Sequence, residues 1–113
     1  MFYRTEAGGE PLREWLRTLS KNDKQRIGED SKTIEFGWPI GMPVARPLSG
    51  GLFEVRTNLT ANRISRIIFY IDTNQRMVLL HGFIKKTRKT PTEDLSFASV
   101  NKAKHEKGLK KPK

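Results

Sequence analysis

The chain has 113 residues, enough for one domain with one modest core, and only 35% of them are hydrophobic. Lys and Arg number 22 against 12 Asp and Glu, a formal charge of +10 that opposes self-association and favours polyanions, nucleic acid first. With no cysteine, disulfides and thiolate chemistry are excluded; no stretch has the length of a membrane span, and the first residues lack the basic-then-apolar order of a signal peptide, so a cytoplasmic protein is expected.

Residues 1–5 are short and aromatic and predict a first strand. Gly8-Gly9 breaks the chain, and Pro11 suits the first turn of a helix. Leu12, Trp15, Leu16 and Leu19 then recur at offsets of three, four and seven, one apolar helical face. Asn22 or Asp23 is the expected cap of a second, less amphipathic helix carrying Ile27 and Ile34, which Gly37 and Pro39 stop. Residues 39–51, with three prolines and three glycines, read as a connecting loop.

The period then changes. Residues 52–57, 64–71 and 77–84 are β-rich runs, and the short turn at Asp72-Thr73-Asn74-Gln75 makes the last two an antiparallel hairpin. Thr90-Pro91-Thr92-Glu93 has the form of a capping box for a C-terminal helix through Leu95, Ala98 and Val100. Residues 101–113 contain six lysines and are expected to fray, giving a domain at 1–106 and a disordered tail at 107–113. The order is β-α-α-β-β-β-α. It describes an α+β fold with a mainly antiparallel four-stranded sheet, two N-terminal helices on one face and a C-terminal helix.

Strand alternation sorts the chemistry. Phe53, Val55, Ile67, Phe69 and Ile71 belong under the helices, leaving an open face with Glu54, Arg56, Arg66 and Tyr70. If Leu80 enters the core, His81, Phe83 and Lys85 join that face, although a single bulge would shift part of this register. Such a face suits RNA: cations hold phosphates, while Tyr70 or Phe83 stacks on a base. The competing reading of Arg56 and Arg66 is solvated cross-strand pairing with Glu54, of the two aromatics simple packing, and of His81 a hydrogen-bonded core histidine. Lys85-Lys86-Thr87-Arg88-Lys89 adds a cationic turn at the rim. His81 and His105 stand far apart with no clustered carboxylates, and no P-loop or nucleophile elbow is present, so neither metal nor other cofactor is expected. A nuclease built this way would use the RNA's own 2′-hydroxyl as nucleophile, with a base, cationic stabilisation and an acid.

Three stretches, Phe36-Gly37-Trp38-Pro39-Ile40-Gly41-Met42-Pro43, Arg46-Pro47-Leu48-Ser49-Gly50-Gly51-Leu52-Phe53-Glu54-Val55-Arg56 and Arg63-Ile64-Ser65-Arg66-Ile67-Ile68-Phe69-Tyr70, resemble the HigB-type, phage-associated branch of the RelE/ParE toxin superfamily. The run Leu79-Leu80-His81-Gly82-Phe83-Ile84-Lys85-Lys86-Thr87-Arg88-Lys89-Thr90-Pro91 carries the resemblance furthest, and the likeness covers residues 1–106. It implies a RelE/ParE-like small domain acting as a metal-independent, ribosome-dependent endoribonuclease on messenger RNA. The implied partners are the ribosome and a cognate HigA-like antitoxin with a helix-turn-helix domain; the toxin alone would be a monomer and would form a hetero-oligomer with its antitoxin. By position, Arg56, Arg66, Lys85 and Lys86 are the implied catalytic cations, with Tyr70, Arg88 and Lys89 as RNA contacts. The general base stays open among Glu54, His81 and a lysine of lowered pKa. The alternative activity is that of the ParE arm, which inhibits DNA gyrase by binding and cuts nothing; fold alone does not separate the two.

Overall fold

The computed structural model describes residues 1–37, 45–85 and 91–110. It is an α+β fold: α1 (Pro11–Leu16), α2 (Lys21–Gly37), β1 (Ala45–Pro47), β2 (Phe53–Asn58), β3 (Ile64–Ile71), β4 (Met77–Ile84) and α3 (Thr92–Lys110). The four strands form one antiparallel sheet in sequence order. Among the described residues, no helix is long and apolar enough to cross a membrane.

Two expectations about strands change. Residues 1–5 form a single parallel bridge, Phe2 with Leu79, beside β4. The Tyr3 N–H donates to the Leu79 carbonyl at 2.9 Å, and Leu79 donates back to Met1 at 2.8 Å. The fourth strand comes instead from the Pro/Gly-rich segment read as loop: Ala45–Pro47 pairs with β2 at the outer edge, where a proline lacking its N–H is tolerated. Gly50 and Gly51, at φ 70° and 76°, then turn the chain directly into β2.

The sheet buries both faces. Leu12 of α1 and Ile27 and Ile34 of α2 pack on Val55, Ile67, Phe69 and Met77. On the opposite face Ala98 of α3, with Leu95 beside it, covers Ile68, Tyr70, Val78 and Leu80. The second face is therefore open only in part. The helix continues through residues 101–110, where the lysines predicted a frayed end. His105 and Asn101 hold that segment down: Nε2 of His105 lies 3.2 Å from Asp72 Oδ2, and the Asn101 amide donates to the Leu80 carbonyl at 3.0 Å. The proposed cap Thr90 lies outside the described residues.

Helix α2 begins one turn earlier than the sequence suggests. Ser20 is its cap: its Oγ accepts from the Asp23 N–H at 3.2 Å. Asp23 is buried and reaches across to β2–β3, accepting from the Thr60 N–H and hydroxyl and from the Arg63 guanidinium.

Gly82 on β4 sets how closely α1 approaches. A Cβ there would stand 2.5 Å from Leu12 Cδ1 and 2.7 Å from the Trp15 ring. Gly82→Ala should therefore overpack this contact and lower stability by about 1–3 kcal/mol, measurable as a lower denaturation midpoint at unchanged m-value.

Burial works to raise the Asp23 pKa, but the Thr60 N–H, the Arg63 guanidinium and the Thr60 hydroxyl together hold it below the usual carboxylate value. The unfolded chain thus takes up this proton more readily. The stabilisation is complete above about pH 4 and fades as pH falls through the lowered folded value. Asp23→Asn should lose that part of the acid dependence, read as a flatter fall of Tm between pH 5 and 2 (roughly the window in which carboxylates titrate).

Candidate phosphate-binding site

The face opposite α1 and α2 carries two cross-strand rows. Arg46 of β1, Glu54 of β2, Ile68 of β3 and His81 of β4 form one. Arg56, Arg66 and Phe83 form the next, and the Lys85 N–H extends the ladder by donating to the Ile64 carbonyl at 2.7 Å. Parity puts Lys85 on the side of Phe83 and Arg66. The expected convergence of Arg56, Arg66 and Lys85 is thus a product of register alone: three strands deliver one cation each to neighbouring positions.

Glu54 organises these charges. Its Oε1 accepts from Arg46 at 2.9 Å and faces Arg66 at 3.5 Å, and both the Glu54 and Arg66 side chains are only 3% exposed. Arg46 and Arg56 remain exposed at the rim. Arg66 therefore does pair with Glu54, as the competing reading had it, but as a buried pair and not a solvated one. Burial is the largest influence lowering the Arg66 pKa; Glu54 opposes it, while Arg46 and Arg56 reinforce it. The Lys85 ammonium is likewise held below the ordinary lysine value, by burial first and then by Arg56 and Arg66, with Glu54 opposing and Arg46 adding. The four groups acting on Lys85 are those that the strand register brings to this face. Arg46 is a member of the cluster that strand alternation does not reach, because it lies in a segment that reads as loop; its spacing before the Gly-Gly turn is the available signal.

The remaining predicted residues separate. Tyr70 does not offer a stacking face: it is 3% exposed beneath α3, with His105 edge-on at 5.8 Å and Lys102 Nζ 5.4 Å from its ring centre. Its hydroxyl has no hydrogen-bond partner among the described residues, and its pKa is pushed up to about 12, by burial first and then by Glu106 and Asp72. Tyr70 is a packing residue because the apolar stretch around it, Ile68, Val78 and Leu80, needs a cover that α3 supplies. His81 is half-buried beside the cluster, its Nε2 2.6 Å from Asp94 Oδ1 on α3. Lys86, Arg88 and Lys89 lie outside the described residues. Among the described residues, no three His, Asp or Glu side chains gather as a metal site.

A surface gathering three guanidiniums and an ammonium around one carboxylate has excess positive charge and many forked N–H donors, a match for a phosphodiester. Glu54→Ala should withdraw the carboxylate from beside a buried guanidinium and lower stability by roughly 3–5 kcal/mol. Glu54→Gln, keeping an acceptor, should lower it less, the two compared by chemical denaturation.

A family model described as "Phage derived protein Gp49-like (DUF891)" matches residues 14–103. This span takes in the whole sheet and every described member of the cluster. A search of curated proteins found no match.

Proposed function

The chain belongs to the Gp49-like family of phage-derived proteins, and from that premise we propose that it is the toxin of a toxin–antitoxin pair and acts as a metal-independent, ribosome-dependent endoribonuclease. Family membership is consistent with such a toxin. The observation that carries the nucleolytic reading is the cluster itself: Arg56, Arg66 and Lys85 from three adjacent strands share one partly exposed patch around Glu54. A protein that blocked an enzyme by contact alone would have no use for convergent phosphate ligands.

In the proposed reaction the 2′-hydroxyl oxygen attacks the adjacent phosphorus, and the bond from phosphorus to the 5′-oxygen breaks. A 2′,3′-cyclic phosphate and a 5′-hydroxyl result. Arg56, exposed at the rim, faces the non-bridging oxygens and stabilises charge as it builds on phosphorus, and the buried Arg66 adds its positive field from beneath. Lys85 yields a proton more readily than an ordinary lysine, for the reasons given above, and is the group on this face suited to proton transfer with the 2′- or 5′-oxygen. Glu54, occupied by two guanidiniums, positions them and serves less well as the base. Lys86 follows directly in sequence and would add a further cation. The toxin would work in the cytoplasm, where ribosome and messenger RNA are found, and an acidic antitoxin segment would cover its basic surface.

Induction of the protein followed by mapping of new 5′ ends on ribosome-bound transcripts tests this. Cuts within the reading frame at the ribosomal A site are expected, reduced at least about a hundredfold in Arg56→Ala, whose exposed side chain makes folding safe, and in Lys85→Ala. Intact transcripts with gyrase-linked DNA damage would replace this reading with the gyrase-binding one. Equal toxicity of both variants would overturn the site.

A further inference from the structure

Beside the cationic cluster the fold adds Phe97 of α3 to the two rings, His81 and Phe83, that strand alternation placed on this face. Phe83 lies directly opposite Arg66 on the sheet. The ring of His81 lies 5.9 Å from that of Phe83 at 27°, and 5.4 Å from that of Phe97 at 31°. The His81 ring thus neighbours one phenyl ring on its own strand and another on α3. Phe97 projects from the first turns of α3 and is 52% exposed, among the most exposed large apolar side chains described. His81 is fixed by its 2.6 Å contact with Asp94, one turn before Phe97 on the same helix. A phenylalanine left half in solvent keeps a broad ring face free at the edge of this cluster.

We propose that Phe97, His81 and Phe83 form a stacking platform for a nucleobase flanking the phosphate held at the Arg56 and Lys85 rim of the cluster, with Asp94 as the positioning residue that sets the His81 ring. This rests on the reading of the cluster as an RNA phosphate site and adds the base-binding half of it. The chemistry is that of single-strand recognition: cations track the backbone while a flat π-face takes an unstacked base with little sequence demand. An exposed aromatic is equally the usual mark of protein docking, but here the rings abut cations instead of lying in an apolar groove. The stacking role that Tyr70 cannot fill thereby passes to α3.

The test uses the full chain and two uncleavable probes of equal length and charge: a 2′-O-methyl hexaribonucleotide and its fully abasic counterpart. Wild type should bind the base-bearing probe more tightly, and raised salt should weaken both. Phe97→Leu and Phe97→Ala, at an exposed site, should lose this preference, weakening the base-bearing probe about tenfold while leaving the abasic probe unchanged. Phe97→Trp should keep it. Asp94→Asn should reduce the preference and shift the His81 ring resonances in the free protein, which a purely structural loss would not do without also lowering Tm. If wild type binds neither probe, the phosphate reading fails. If wild type binds both alike, or Phe97→Ala keeps the preference, the platform is wrong and the phosphate site stands. Loss of antitoxin co-purification in Phe97→Ala, with the probe preference intact, would make this face a protein-docking surface and overturn the proposal.

Discussion

Like charges do not assemble on one side of a small sheet unless something holds them there, and Glu54 is that restraint. One carboxylate near the start of β2 accepts from Arg46 and faces Arg66, each from a different neighbouring strand. Buried with Arg66, it acts through a medium in which the attraction is much stronger than in water. The arrangement leaves the cluster positive overall, since Arg46, Arg56, Arg66 and Lys85 share this single anion. A buried ion pair is seldom the most stable way to fill a core position. Its presence in a chain with so small a core makes sense if the excess charge it organises serves the proposed phosphate contact.

Helix α3 decides how much of this face remains open. It covers the part of the sheet around Ile68, Tyr70, Val78 and Leu80 and is tied down at both ends by complementary contacts. At its start Asp94 meets His81 of β4; near its end His105 meets Asp72 of the β3–β4 turn. Asn101 adds a bond to the Leu80 carbonyl between them. These polar clasps explain how a lysine-rich segment with little apolar periodicity stays helical against the protein. They also mean that the helix contributes to the site at one end while completing the core along its length.

Much of this was legible in the sequence, and the misses have physical reasons. Alternation in β2 and β3 identified Glu54, Arg56 and Arg66 as sharing a face because both strands are regular where those residues sit. The turn at residues 72–75 and the apolar face of α1 were equally readable from local pattern. The edge strand at Ala45–Pro47 was not: three residues with a proline carry no period, and only the partner strand defines them. Ser20 and Asp23 were confused because both residue types cap helices, and what separates them is a bond from Asp23 to Thr60, 37 positions away. Residues 101–110 read as a fraying end because composition reports charge, whereas their order comes from two side chains that find distant partners.

The hardest feature to foresee lies in β4, and the site depends on it. Strict alternation would send Leu80 and His81 to opposite faces, Leu80 under the N-terminal helices and His81 toward α3, so a regular strand would not turn both toward α3. The register shifts between Ile68 and Phe69: Ile68 pairs with His81, yet Phe69 pairs with Leu79, leaving Leu80 as the extra residue. Leu79 and Gly82 both face the N-terminal helices, so the two residues between them turn together toward α3. Leu80 packs on Ile68 and Ala98 while His81 meets Asp94 and Phe97. Beyond the bulge, alternation resumes and delivers Phe83 and Lys85 beside Arg66. One inserted residue therefore joins the covered, apolar half of this face to its charged half, and places the aromatic stack at the seam between them.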